Sequence, residues 1–206
     1  MNILSFAQKK QLGEKISMVT CYDYPSACLL AQTDIDCLLV GDSVAMVVHG
    51  YEATIHASVE MMQTHTKAVS RAKPKQFIVT DMPFLAHRMG EEAVFTAAKS
   101  LLQAGAQALK IEGADQDTLS MIKSLVNSGV PIMGHIGLQP QSILSLGQYR
   151  VQGREASEAK ALISAAEALQ AAGAFALVIE CVPAELAAMI SRHVQIPCIG
   201  IGAGID

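Results

Sequence analysis

The sequence predicts an α/β fold of the parallel (β/α)8 TIM-barrel class, held in a single domain over residues 1–206, with the eighth βα unit missing at the C-terminal end. Three observations carry that expectation. Five short apolar runs end on a group able to hold a metal or move a proton: Cys37-Leu-Leu-Val-Gly-Asp42, Phe77-Ile-Val-Thr-Asp81, Ala108-Leu-Lys-Ile-Glu112, Pro131-Ile-Met-Gly-His135 and Ala176-Leu-Val-Ile-Glu180. Apolar, β-branched runs bounded by helical segments mark parallel strands buried on both faces. Strands and helices alternate along the whole chain, as βαβ units require. Finally, Gln103–Glu112 resembles Gln170–Glu180, and each is followed by a helix and then by Val-Pro-Ile-Met-Gly or Ile-Pro-Cys-Ile-Gly. The glutamates are 68 residues apart and the prolines 66, a period that suits two βα units.

In chain order, a helix is expected near Ser5 to Lys15 and a first strand near 16–21. A helix near 25–32 leads to the strand at 37–41, and one near 57–72 to the strand at 77–81. Helices near 90–104 and 116–128 flank the strand at 108–112 and precede the one at 131–135. A helix near 155–172, opened by Glu155 or Ser157, leads to the strand at 176–180. The last helix, near 184–193, precedes the strand at 197–201. Gly105 and Gly173 stand where helices close. Only seven strands are read, and 206 residues is near the lower limit for a full barrel. A doubly wound open sheet is the alternative, but acidic groups at nearly every strand end fit a barrel mouth better.

Composition narrows the function classes. Half of the residues are hydrophobic, yet no uninterrupted apolar stretch approaches the ~20 residues of a membrane span. The first ten residues lack a basic start followed by an apolar core, so no signal peptide is expected. Five scattered cysteines without CxxC spacing read as reduced thiols in a cytoplasmic protein. A net charge of -4, no Trp and no basic patch argue against nucleic acid as a partner. No membrane partner is expected either.

The chemistry lies at the strand ends. Asp42 and Asp81 finish consecutive strands and together offer the hard oxygen ligands that suit Mg²⁺; either alone would be read as a cap or turn former. No His pair has zinc-ligand spacing. Lys110 and Glu112 are two apart on one strand and share a face. A buried ammonium needs a partner, so Lys110 is expected against Glu112, another carboxylate or an anionic substrate. A structural ion pair and a Schiff-base lysine are the alternatives. His135, beside flexible glycines, reads as a substrate contact rather than a core histidine. The other histidines, at 49, 56, 65, 87 and 193, carry no comparable signal. Glu180, in an apolar setting, is expected to have a raised pKa and to act as a general base. Gly200-Ile-Gly-Ala-Gly204 reads as a tight turn, since no nucleotide-binding acid or Walker lysine accompanies it.

Several motifs, in order across nearly the whole chain, resemble the ketopantoate hydroxymethyltransferase family. They are Thr20-Cys-Tyr-Asp-Tyr24, Val40-Gly-Asp-Ser-Val-Ala-Met46, Thr80-Asp-Met-Pro-Phe84, Lys110-Ile-Glu-Gly113, Gly134-His-Ile-Gly-Leu-Gln-Pro-Gln-Ser142, Tyr149-Arg-Val-Gln-Gly-Arg154, Ile179-Glu-Cys-Val-Pro183 and Ile199-Gly-Ile-Gly-Ala-Gly204. Departures are Ala45 for a usual glycine, Gln139 for a common threonine, and Leu146-Gly-Gln148 where a Gly-Gly pair is usual. The resemblance implies a barrel of the phosphoenolpyruvate/pyruvate type, Mg²⁺, and a homo-oligomer, commonly a decamer. It implies transfer of a one-carbon unit from 5,10-methylenetetrahydrofolate to the small keto acid 3-methyl-2-oxobutanoate. Carried over by motif, Asp42 and Asp81 would ligate Mg²⁺, with Glu112 close to the metal. Ser43, Lys110 and His135, with the metal-binding aspartates, would hold the keto acid, and Glu180 would remove its C3 proton. The metal as electron sink disfavours a Schiff-base lysine. A folate-independent Mg²⁺-enolate enzyme of the phosphoenolpyruvate mutase and isocitrate lyase type is the alternative.

Overall fold

The computed structural model describes residues 1–205, which form two compact units meeting in sequence between Lys110 and Ile111. The first comprises residues 1–2 and 16–110. Its strands are β1 (Met18–Thr20), β2 (Cys37–Val40), β3 (Phe77–Asp81) and the start of β4 (Ala108–Glu112). Each pairs in parallel with the next, with Thr20 opposite Leu39, Val40 opposite Thr80 and Asp81 opposite Lys110. Every residue of β3 is buried, as expected for a strand covered on both faces.

The helices of this unit show why the sequence breaks where it does. Asp23 caps α2 (Tyr24–Leu30), accepting from the Ser26 N–H at 2.7 Å, and Pro25 occupies the first turn, where no N–H is needed. A four-residue helix, α3 (Val44–Val47), follows β2 and was not expected from the sequence. Ser58 caps α4 (Val59–Arg71), whose buried face carries Met62, Thr66 and Val69 at helical spacing. The Thr66 hydroxyl meets that of Thr80 at 2.9 Å and fastens α4 to β3. Glu91 and Glu92 occupy the first turn of α5 (Glu91–Gln103), where carboxylates favour the helix dipole. Gly105 ends α5 at φ +114°; a Cβ there would lie 2.2 Å from the Ser70 Oγ, so only glycine fits.

The second unit comprises residues 3–15 and 111–205 among those described. Helix α1 (Ile3–Leu12) buries Phe6, which meets Phe175 edge to face at 5.3 Å. Asp115 caps α6 (Gln116–Asn127). Strands β5 (Ile132–Gly137), β6 (Ala176–Glu180) and β7 (Cys198–Ile201) pair in parallel in that order, with Gly137 opposite Glu180 and Glu180 opposite Ile201. Between them lie a short α7 (Ile143–Leu146), then α8 (Ala156–Ala171) and α9 (Ala184–His193). Gly134 lets α8 approach closely, because a Cβ on it would be 2.9 Å from Leu169. Strand β5 runs two residues past His135, since pairing with β6 continues to Gly137. Glu155 precedes α8 without a side-chain cap bond, and Gly173, at φ +96°, closes it. All five cysteines are free thiols. Among the described residues no helix is long and apolar enough to cross a membrane.

Candidate active site

In the first unit, three charged side chains are buried: Asp42 just after β2, Asp81 at the end of β3 and Lys110 in the middle of β4. The Asp42 N–H donates to Asp81 Oδ2 at 3.0 Å. Lys110 Nζ lies 3.1 Å from Asp81 Oδ1, with the two side chains 5% and 3% exposed. Their contact follows from register, because Asp81 and Lys110 are paired neighbours on adjacent parallel strands. Of the partners foreseen for Lys110, another carboxylate is the one observed. Gly41 leaves room here, since a Cβ would stand 3.0 Å from Ser43 Oγ and press on it. Ser43 Oγ shares a 2.8 Å hydrogen bond with the Tyr22 hydroxyl.

Two buried carboxylates and one buried ammonium give this group a formal charge of -1. A divalent cation suits such a pocket, and its hard oxygen donors favour Mg²⁺, which keeps waters and takes other ligands from substrate. Asp81 Oδ2 accepts from the Asp42 N–H and Oδ1 faces the Lys110 ammonium, and a carboxylate oxygen has lone pairs for more than one such contact. Among the described residues no three His, Cys, Asp or Glu side chains form a ready-made metal cage. The fit therefore rests on donor chemistry.

In the second unit, His135 stands between two carboxylates. Its Nδ1 is 3.6 Å from Glu112 Oε1 and its Nε2 is 3.3 Å from Glu180 Oε2. Glu112 is fixed from the other side by the Gln141 N–H, which donates to Oε2 at 3.2 Å. The apolar setting expected for Glu180 is not what surrounds it. Its side chain is 22% exposed and has an imidazole as neighbour, because β5 and β6 pair through Gly137 and Glu180 and bring the two strand ends together.

The backbone beneath Glu180 is tightly constrained. Its carbonyl accepts from the Leu138 N–H at 2.8 Å. A Cβ on Gly137, at φ +91°, would lie 2.1 Å from that carbonyl oxygen. The next residue, Cys181, takes φ +51°, a left-handed conformation that costs a non-glycine residue of order 1–3 kcal/mol. Its N–H donates to the Ile201 carbonyl at 2.8 Å. Gly202 and Gly204 also have positive φ, in keeping with a tight turn after β7.

Two residues of these groups, Tyr22 and Gln141, had no role assigned from sequence. Both sit inside the motifs quoted above, which was the available signal. Tyr22 reaches Ser43 across 21 residues and Gln141 reaches Glu112 across 29, contacts that spacing does not reveal.

Comparison with known proteins identifies the family. The profile of the family described as ketopantoate hydroxymethyltransferase matches residues 1–206. A 3-methyl-2-oxobutanoate hydroxymethyltransferase of Legionella pneumophila (strain Lens) is 58% identical over 204 residues, covering 99% of this chain and 78% of the relative. That of Coxiella burnetii (strain CbuG_Q212) is 52% identical over 204 residues, covering 99% and 77%. Among solved structures, 2,3-dimethylmalate lyase, a PEP mutase/isocitrate lyase superfamily member, matches with a TM-score of 0.68 at 16% identity, covering 95% of this chain and 70% of that one. Phosphonopyruvate hydrolase, solved with oxalate and Mg²⁺, matches with a TM-score of 0.67 at 10% identity, covering 98% and 81%. These likenesses show the fold, that of the PEP mutase/isocitrate lyase barrels, for which the described residues supply seven strands. Strand-end carboxylates, a buried lysine and a histidine between two glutamates thus stand in a chain that, by profile and by identity, belongs to the ketopantoate hydroxymethyltransferase family.

Proposed function

We propose that this protein adds a hydroxymethyl group from 5,10-methylenetetrahydrofolate to 3-methyl-2-oxobutanoate, giving 2-dehydropantoate for pantothenate biosynthesis. The observation that carries the reading is the likeness, over 99% of this chain and 77–78% of the relatives, to hydroxymethyltransferases of that name.

On the family pattern, Asp42 and Asp81 would hold Mg²⁺ and Glu112 would assist. When bound, the ion supplies the positive charge that offsets negative charge developing on the keto oxygen. Lys110 presents an ammonium to the substrate carboxylate while Asp81 orients it. Ser43, steadied by Tyr22, and His135 complete the keto acid contacts. Glu180 takes the C3 proton, and its exposure lets it reach substrate while His135 holds it in place. The methylene carbon delivered by the folate then bonds to C3 and to a water oxygen while both of its bonds to folate nitrogens break, and those nitrogens take up the C3 proton and one proton of the water. The protein acts in the cytoplasm as a homo-oligomer, on the family pattern a decamer; the exposed Val47, Val48 and Tyr51 offer apolar surface for such contacts.

The test is turnover of 3-methyl-2-oxobutanoate with Mg²⁺, with and without methylenetetrahydrofolate. Product formation only when the folate is present supports the proposal. The fold likeness to 2,3-dimethylmalate lyase favours the folate-independent alternative, and cleavage or rearrangement of a 2-oxo acid without folate would establish it.

A further inference from the structure

We propose that His49 and His65 form a binding site for a borderline transition-metal ion, such as Zn²⁺, Ni²⁺ or Cu²⁺, built from residues other than the Mg²⁺ carboxylates. His65 lies on α4, half-buried, and His49 is exposed on the turn after α3. Their Nε2 atoms are 2.8 Å apart, and the rings meet nearly at right angles, at 85°. His65 Nδ1 lies 2.6 Å from the Tyr22 carbonyl oxygen. A carbonyl only accepts, so Nδ1 carries the proton, and in the neutral ring Nε2 presents its lone pair toward His49. Backbone support of this kind is the arrangement that orients imidazole ligands in metal sites.

The turn carrying His49 is itself held in place. The His49 N–H donates to the Val44 carbonyl at 3.2 Å and the Tyr51 N–H to that of Ala45 at 3.0 Å. Tyr51 stacks on His56 with ring centroids 5.0 Å apart. In the absence of a metal, one proton bridges the two imidazoles, donated by His49. An ion can take the place of that proton, with His49, an exposed residue, moving its own proton to Nδ1. Two imidazole nitrogens bound to one ion at about 2.0–2.1 Å are about 2.9 to 3.4 Å apart, depending on the angle between the bonds. The observed separation of 2.8 Å is about a tenth of an ångström short of the lower end of that range, and His49, being exposed, can pivot to meet it. Imidazole ligands select Zn²⁺, Ni²⁺ and Cu²⁺ over Mg²⁺, with Cu²⁺ the strongest. Water completes the coordination.

The experiment titrates the chelator-stripped, Mg²⁺-saturated protein with CuCl2 by calorimetry and by electron paramagnetic resonance. Wild type is expected to bind one more equivalent of Cu²⁺ than His49→Gln, with nitrogen splitting from two imidazoles that is absent in the variant. His65→Gln should lose the same equivalent; if that variant fails to fold, because α4 loses its link to Tyr22, the exposed His49→Gln decides alone. Identical isotherms and spectra for wild type and a folded His49→Gln protein would overturn the proposal.

Discussion

Lys110 and Asp81 form an ion pair at 3.1 Å in which neither side chain is more than 5% exposed. Removing one member of such a pair leaves an unpaired charge in a poorly solvated place, whereas removing both leaves none. Lys110→Met should therefore destabilise the protein by roughly 3–5 kcal/mol in urea denaturation. The double variant Asp81→Asn, Lys110→Met should be more stable than Lys110→Met alone. Completing the cycle with Asp81→Asn alone, a double-variant loss equal to the sum of the two single losses would show that the pair is not electrostatically coupled.

Asp81 is also a proposed Mg²⁺ ligand. Asp81→Asn keeps a hydrogen-bond acceptor for the Asp42 N–H but removes the charge. Calorimetry with MgCl2 should show affinity reduced more than about tenfold, a loss in line with removing a supporting group around a metal. Unchanged affinity would take Asp81 out of the metal's ligand set.

Gly137 and Gly147 offer a matched comparison of backbone strain. Both have positive φ, at +91° and +72°. Gly147→Ala meets nothing within 4 Å and should lose only the left-handed conformational cost, roughly 1–2 kcal/mol. Gly137→Ala drives a methyl against the Glu180 carbonyl, so it should be the more destabilised in urea and should also slow C3 proton removal.

Cys198 makes a pH-dependent contribution. Burial pushes its thiol up from 9.0 to about 11, against the lowering effects of the Lys10 charge and the Ser191 hydroxyl. The unfolded chain releases this proton first, so the folded state loses stability as pH rises from about 9 to about 11. Cys198→Ala should flatten the fall in urea midpoint across that window. Cys37, buried and pushed higher still, should resist alkylation in the native protein, as intact mass after iodoacetamide will show.

Much of the scaffold is legible in the sequence because its signals are local. The strands ending at Asp81, Glu112 and Glu180 coincide with their apolar runs, since a strand buried on both faces needs such a run and the following polar residue stops it. Where the structure differs, a non-local effect decides. The first strand shrinks to Met18–Thr20, as far as β2 pairs with it, and β5 extends to Gly137 because β6 pairs that far. Helices α3 and α7 span only four residues each, too short to show a period. In the candidate site, residue types and strand-end positions are readable, but partners are not. That Lys110 chooses Asp81 depends on register between strands, and that His65 meets Tyr22 and His49 depends on how α4 lies against two loops.

The central claim is that Glu180 is the base, held beside His135 at 3.3 Å. Deuterium exchange at C3 of 3-methyl-2-oxobutanoate, followed by NMR in D2O with Mg²⁺, tests it most directly. Glu180→Gln should slow exchange by about 10²–10⁴-fold, the usual contribution of a positioned base, while Mg²⁺ and keto acid binding measured by calorimetry stay largely intact. Exchange at the wild-type rate in that variant would contradict the account.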